Sequence, residues 1–260
     1  MSKSFDRREP SYNVLHRVST DVYTYVTEFL FMGAVPIHNR SVVVRVPGGL
    51  AIINPAELRP EVLRDLRRLE EETGAGVRYL ISPGDWHYLF IGQHKKAFPA
   101  ATVYVPPGRI PSKTPDFEYT LIDVEADHPF PALEPSIVAL NFKGLRDFTD
   151  PEGALPRYEL CFLIPNAHAI TSGDVLYYFD EDELSEKQRA IGMVPRKLDF
   201  HAAKGRMIRD REAVRRSLGE ILEWDFDRYI PIHGAPGNML PEGAKAELRQ
   251  VLAWVEAETS

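Results

Sequence analysis

The sequence predicts an α+β protein in which strands and amphipathic helices share a large core. Residues 22–53 hold consecutive β-branched and aromatic runs, and residues 60–73 show the apolar spacing of a surface helix. Residues 119–172 then hold several more runs of strand character with turn residues between them. Strand, hairpin, helix, strand and a second group of strands imply a mixed architecture of sheets and helices.

The first strands form a predicted hairpin. Residues 22–26 and 41–46 are rich in β-branched and aromatic side chains, and 47–49 read Pro-Gly-Gly before an apolar run at 50–53. Asn54 and Pro55 then stop the strand. A tight turn between two apolar runs is typical of paired antiparallel strands.

A helix and two strands follow the hairpin. Proline begins the predicted helix at 60–73, and glycines 74 and 76 close it. Its inward face comprises Val62, Leu63, Leu66 and Leu69. The chain then predicts a strand at 77–81, a short helix at 93–98 and a buried strand at 101–105.

A second sheet is the economical interpretation of the β-rich middle, whose predicted strands are 119–122, 137–142, 158–164 and 169–172. The end of the chain predicts a helix at 211–224, a last strand at 229–232 and a terminal helix at 242–257.

Composition limits the function classes. In 260 residues, 44% are hydrophobic and 27% charged, no internal linker is visible, and we expect one domain over 1–260. The net charge of −7 comes without a basic stripe, so nucleic acid is not an expected partner. No run approaches the length of a membrane span and no leader is recognisable, so we expect a cytoplasmic protein without a membrane partner.

Metal chemistry in this chain must use His, Asp or Glu. Cys161 is the one cysteine, which excludes an intramolecular disulfide and any zinc site with two thiolates. Cys161 lies in an apolar run and is expected to be an inert core residue.

Polar side chains follow three predicted strands directly. Asp85 and His87 come after 77–81, Asp174 ends the run Thr-Ser-Gly-Asp, and His233 follows 229–232 beside a glycine. Loops at strand ends can converge on one cleft. Two imidazoles and two carboxylates would suit Zn²⁺, Mn²⁺ or Fe²⁺ with a position left for water.

The order of these motifs resembles the metallo-β-lactamase superfamily over residues 22–233. The resemblance implies an αββα sandwich, two mixed β-sheets flanked by helices. Gly173 and Asp174 resemble the strand end whose Asp bridges two metals in that superfamily, and His233 resembles its final ligand. Three features are similar to a divergent, mostly uncharacterised branch of this superfamily. They are the proline-containing loop, the end of the helix at Trp224 and the final His-Gly segment.

The loop at 82–88 departs from the superfamily's Thr-His-x-His-x-Asp-His motif. Pro83 stands at the first His, Asp85 at the second, His87 at the Asp and Tyr88 at the last His. Proline cannot ligate a metal, and a tyrosine phenol stays protonated at neutral pH. The motif is therefore eroded, and a binuclear centre is not expected.

The remaining candidates suffice for at most one metal, so the two alternatives are one Zn (or Mn or Fe) and none. The candidate ligands are Asp85, His87, Glu159, Asp174 and His233. Of these, Asp85 and His87 are the candidate catalytic residues, because either is suited to act as a general base.

Simpler interpretations exist for each candidate. Asp85 can instead cap the following segment, Asp174 can occupy a turn, and Glu159 can face solvent. Arg40 is expected to hold a segment of the backbone in position. Structural roles are expected for the other histidines, His16, His38, His94, His128, His168 and His201.

Two functions follow from the sequence. The first is a metal-dependent hydrolase-like enzyme with one metal and an unknown small-molecule substrate. The alternative is a catalytically inactive, metal-free scaffold that binds a ligand or partner in the cleft where the strand-end loops converge. A redox role, as an iron-dependent dioxygenase or flavin-linked di-iron oxidoreductase, needs more ligands than the chain supplies. Oligomeric state leaves no mark in the sequence.

Overall fold

The computed structural model describes residues 9–31, 35–108, 116–126, 128–147, 149–184, 186, 189, 193–200 and 204–257. His201 lies outside these residues. Two main sheets form the centre of the described chain. The first has seven strands in the order β1 to β7, namely β1 His16–Ser19, β2 Val22–Phe31, β3 Val35–Val46, β4 Gly49–Ile53, β5 Val77–Ile81, β6 Thr102–Val105 and β7 Thr120–Leu121.

Pairing within the first sheet changes from antiparallel to parallel at β4. The strands β1 to β4 pair antiparallel, with Val42 opposite Ile53, and the turn at 47–48 closes the β3–β4 hairpin. From β4 to β7 every pair is parallel. The change of direction follows from the α1 crossover, because parallel neighbours need a connection that returns to the starting edge.

The second sheet has four strands in the order β13, β10, β9, β8. Its strands are β8 Val138–Phe142, β9 Glu159–Ile164, β10 Ala169–Ser172 and β13 Arg228–Tyr229. β8, β9 and β10 pair antiparallel, and β13 runs parallel to β10. A separate small pair joins β11 Leu176–Tyr177 to β12 Asp199–Phe200.

The helical segments with both ends in the described part of the chain are α1 Pro60–Thr73, α2 Ile91–Ala97, α3 Lys204–Met207, α4 Arg211–Glu223 and α5 Ala244–Ala257. Helices cover the outer faces of both sheets, α1 on the first sheet and α4 and α5 on the second. Proline at the first turn starts α1, and Gly74, with φ of 65°, ends it in the left-handed conformation that glycine tolerates best. In the part of the chain that the structure describes, no helix is long and apolar enough to cross a membrane.

Three hydrophobic clusters show how the layers stack. Alternate residues of one strand enter different clusters, so Ile52 of β4 packs towards α1 and Ile53 packs towards the second sheet. The middle cluster joins both sheets, and Phe162 of β9 belongs to it. A third cluster joins the second sheet to α4 and α5, through residues such as Leu218 and Val251. The order helix, sheet, sheet, helix confirms the predicted αββα sandwich.

Most predicted elements are present, and some bounds change. The helix predicted at 60–73 matches α1, whereas the last strand, predicted at 229–232, comprises only Arg228–Tyr229. The run at 119–122 was expected in the second sheet, and this was wrong. Its strand β7 pairs with β6 at the edge of the first sheet, through Tyr104 and Thr120.

Candidate metal centre

Three loops that follow strands bring His87, Asp174 and His233 together. His87 lies after β5, Asp174 after β10 and His233 after β13. One ligand atom from each lies within 4.8 Å of the others. The Nε2 atoms of His87 and His233 are each 3.2 Å from Oδ1 of Asp174. We call these three residues the triad.

The His87 ring is oriented by Asn54 at the end of β4. Asn54 donates its amide N–H groups to Oδ1 of Asn39, at 2.7 Å, and to the carbonyl of Arg40, at 2.8 Å. Its Oδ1 therefore faces Nδ1 of His87, 3.0 Å away, and accepts a hydrogen bond from it. A neutral His87 with its proton on Nδ1 directs the lone pair of Nε2 towards Asp174.

The His233 ring has the same orientation from a different partner. Its Nδ1 lies 2.8 Å from the carbonyl oxygen of His38. A carbonyl oxygen can only accept a hydrogen bond, so Nδ1 is the donor. Nε2 of His233 therefore faces Asp174. Both imidazoles thus use Nδ1 for a protein oxygen and direct Nε2 inward, the arrangement typical of histidines that bind metals.

Arg40 fixes the backbone of the segment that carries His233, as expected from the sequence. Its side chain is fully buried and donates to the carbonyls of Pro231, at 2.6 Å, and Ala235, at 2.5 Å. Glu183 holds the same segment from the other side, because it accepts from the backbone N–H of Ala235 and from Asn238. The position of His233 is therefore set by contacts on both sides of its loop.

The donor set of the triad fits a divalent metal ion. Nε2 of His87 is buried and lies 3.2 Å from Oδ1 of Asp174 without the geometry of a well-formed hydrogen bond. With Nδ1 protonated, that lone pair faces the carboxylate oxygen of Asp174, so two acceptors meet at 3.2 Å. A cation between them would relieve the repulsion. Two imidazole nitrogens and one carboxylate oxygen form a ligand set that zinc accepts.

The triad is open to solvent on one side. The His87 side chain is 6% exposed, whereas those of Asp174 and His233 are 19% and 28% exposed. Solvent therefore reaches the triad from the side of Asp174 and His233.

The second oxygen of Asp174 belongs to a buried ion-pair group. Nη2 of Arg157 lies 2.7 Å from Oδ2 of Asp174, and Nε of Arg157 lies 2.7 Å from Oε1 of Glu159. Oε2 of Glu159 accepts from the backbone N–H of Asp174 at 3.0 Å. Asp174 therefore separates two different environments, histidines at Oδ1 and a guanidinium at Oδ2.

Burial and neighbouring charges shift the pKa values of the triad residues in opposite directions. Burial lowers the pKa of His87, and Asp174 only partly opposes this. Burial also lowers the pKa of His233, but the hydrogen bond and charge of Asp174 outweigh it and raise the pKa. Burial alone would raise the pKa of Asp174, but the neighbouring imidazoles and Arg157 hold it well below its usual range. Asp174 is therefore ionised and available as a ligand.

Several solved structures have the same arrangement of layers at low sequence identity. A metallo-β-lactamase from Erythrobacter litoralis in a mono-zinc form is 13% identical, with TM-score 0.57, over 94% of this chain and 96% of that one. FIM-1 from Pseudomonas aeruginosa, also in a mono-zinc form, is 11% identical, with TM-score 0.58, over 98% and 99%. The chain has the metallo-β-lactamase fold. A metallo-β-lactamase from Pontibacter korlensis aligns with TM-score 0.53 at 12% identity, over 93% and 98%.

Sequence comparison matches part of the chain to one family model. Residues 24–116 match a domain of unknown function, DUF4336. No curated protein matches the chain. The matched segment contains the hairpin, α1 and the loop with His87, but not Asp174 or His233.

Within the metallo-β-lactamase fold, the five predicted ligands divide into two groups. His87, Asp174 and His233 form the triad. Glu159 binds Arg157 and the backbone of Asp174 instead, and burial raises its pKa while the charge of Arg157 opposes the rise. Asp85 is buried, and its charge acts on Arg157 and Glu159. Asp85 does not cap α2, which begins without a side-chain cap.

Sequence reasoning missed Arg157, Asn39 and Asn54. A sequence signal existed for Arg157, which lies two residues before Glu159 and therefore shares its face of an extended segment. The two asparagines carried no comparable signal. Pro83 and Tyr88 lie outside the triad, and Tyr88 packs against the cluster beneath α1.

Proposed function

We propose that the protein is a metal-dependent hydrolase that binds one zinc ion at His87, Asp174 and His233. The observation that carries this proposal is the matched orientation of the two imidazoles, each with Nδ1 bound to a protein oxygen and Nε2 directed at Asp174. Three protein ligands with an open side are typical of catalytic zinc sites. The mono-zinc forms among the structural neighbours support zinc over manganese or iron.

The residues supply a rigid ligand frame for hydrolysis. When bound, zinc would provide an acidic water and polarise a carbonyl or phosphoryl oxygen. Asn54 and the His38 carbonyl hold the two imidazoles. Arg157 binds Oδ2 of Asp174, so that only Oδ1 faces the imidazoles. Asp85 stays a predicted proton acceptor, and the substrate is proposed to be a small molecule.

A metal-free scaffold is the second candidate, and one observation favours it. Both oxygens of Asp174 already contact donors of the chain, Oδ1 through His233 and Oδ2 through Arg157. The triad can therefore close on itself without an ion. In that case the cleft would bind a ligand or partner without turnover.

Metal analysis of protein purified without chelator separates the two candidates. We expect one zinc per chain in the wild type, and loss of that zinc in His233→Ala and Asp174→Asn. His128→Ala is the matched control, because His128 is exposed and pairs with Glu134 away from the triad. Wild-type protein that is folded, metal-free and unable to take up added zinc would exclude the enzyme and favour the scaffold.

A further inference from the structure

The guanidinium of Arg157 is an enclosed charge beside the triad. Its side chain is 1% exposed and contacts two carboxylates, Glu159 and Asp174, at 2.7 Å each. The carbon at the centre of the guanidinium lies 5.3 Å from the centre of the Trp86 ring. A buried charge is retained only when its partners are well placed, so this group is a built feature of the fold.

The backbone is shaped around this ion pair. A methyl group on Gly173 would lie 1.9 Å from Oε2 of Glu159, and one on Gly84 would lie 2.3 Å from the same oxygen. Both positions therefore need glycine for Glu159 to reach Arg157. The charge of Asp85 also acts on Arg157, so three acidic side chains affect one guanidinium.

We propose that Arg157 is a fixed internal cation that occupies the place of a second metal ion and limits the centre to one. Asp174 could bridge two cations, one at each oxygen, but Arg157 already takes Oδ2 together with the Glu159 carboxylate. Arg157 is a positioning residue, because it acts on the triad through Asp174. This inference rests on the proposed metal site at Oδ1 of Asp174.

Charge repulsion supports this assignment. Burial opposes the charge of Arg157, but the neighbouring carboxyl groups outweigh burial and raise the pKa of Arg157, so the guanidinium stays charged. A second divalent ion at Oδ2 of Asp174 would lie against this buried positive charge, which is unfavourable.

Removing the guanidinium should convert its place into a cation site. Arg157→Ala leaves a cavity beside Glu159 and Oδ2 of Asp174, both of which need a positive partner. We expect the variant to hold two zinc ions per chain where the wild type holds one. In zinc-free buffer its Tm should fall by roughly 10 °C, because a buried charge pair is broken.

Free guanidinium ion provides a second readout that does not depend on zinc. At low millimolar concentration it should raise the Tm of zinc-free Arg157→Ala and leave the wild type unchanged, since only the variant has the cavity. Arg157→Lys keeps the charge and should hold one zinc. Arg40→Ala is the matched control, because Arg40 is equally buried but donates to carbonyls, so its loss should create no second zinc site.

The outcomes separate this inference from the proposed function. Two zinc ions in the wild type, or one zinc in folded Arg157→Ala without stabilisation by either cation, would overturn the role of Arg157. A wild type without zinc would overturn the proposed function, while rescue of Arg157→Ala by guanidinium would still show a cation site. If Arg157→Ala does not fold, the double variant with Glu159→Gln should fold and hold one zinc. A double variant that stays unfolded contradicts the inference.

Discussion

Asn54 Oδ1 lies 3.0 Å from Nδ1 of His87 and sets which nitrogen of that ring faces the triad. Asn54 has a φ of 55°, in the left-handed region that asparagine tolerates better than most residues. The same residue therefore ends β4, turns the chain and orients a candidate ligand. Its two amide N–H groups are held by Asn39 and Arg40, so the orientation of its oxygen is fixed.

Removing the Asn54 amide should weaken zinc binding. Asn54→Gly keeps the left-handed backbone without strain but leaves Nδ1 of His87 without its acceptor. We expect zinc affinity to fall by roughly 10- to 100-fold, the usual effect of losing a hydrogen bond to a ligating histidine. Competition with a chromophoric chelator measures the affinity. Asn54→Ala should show the same loss of affinity with an added loss of stability of about 1 kcal/mol from the positive φ. Wild-type affinity in both variants would show that Asn54 does not orient His87.

Arg40 should contribute more to stability than an exposed arginine on the same strand. Arg40→Met leaves the carbonyls of Pro231 and Ala235 without their buried donor. We expect the free energy of unfolding to fall by about 3 kcal/mol. Arg45→Met is the control, because Arg45 is exposed and lies 3.8 Å from Asp21, and it should change stability by less than about 0.5 kcal/mol. Urea titrations of both variants make the comparison, and equal effects would contradict the role of Arg40.

The sequence predicted elements well where local signals were strong. Proline at 60, glycine at 74 and a helical apolar period identify α1 and its ends in the sequence. By contrast, β7 has two residues, and its sheet is decided by its pairing with Tyr104 of β6. Short strands carry too few residues for their pattern to identify a partner.

The candidate site was predictable in part for a similar reason. A polar residue directly after a strand is visible in the sequence, and this marked His87, Asp174 and His233. The contacts of Arg157 with Asp174 and of Asn54 with His87 span 17 and 33 residues. Side-chain hydrogen bonds across such separations depend on the packed structure. The sequence therefore did not show that Asp85 and Glu159 lie outside the triad.

His94 should make stability depend on pH. It is fully buried on α2, donates from Nδ1 to the Phe90 carbonyl and accepts at Nε2 from the Tyr25 hydroxyl. Burial lowers the pKa of His94 to about 4, against about 6.5 in an unfolded chain. Protonating the ring therefore favours unfolding. The stabilisation of the folded state by neutral His94 is complete above pH 6.5 and is lost as pH falls towards 4.

The expected loss for His94 is about 2 kcal/mol of unfolding free energy between pH 7 and pH 5. Urea titrations at the two pH values measure it. His94→Gln keeps one donor and one acceptor but cannot titrate, so its stability should fall less over the same interval. An identical pH dependence in the wild type and the variant would rule out His94 as the titrating group.

Two glycines should respond to alanine in opposite directions. In Gly173→Ala the new methyl group would lie 1.9 Å from Oε2 of Glu159 and 2.8 Å from the Pro83 carbonyl. Either Glu159 leaves Arg157 or the backbone moves, and we expect a loss of roughly 3 kcal/mol. Gly219 lies within α4, where a methyl group would meet no atom of the described chain within 4 Å.

Gly219→Ala is therefore expected to raise the free energy of unfolding by about 0.5 to 1 kcal/mol, because alanine loses less entropy than glycine in a helix. Chemical denaturation of both variants gives the two signs in one experiment. A Gly173→Ala protein as stable as Gly219→Ala would mean that Glu159 can move away from Arg157 without cost. The buried ion pair beside Asp174 would then not depend on the shape of the backbone around it.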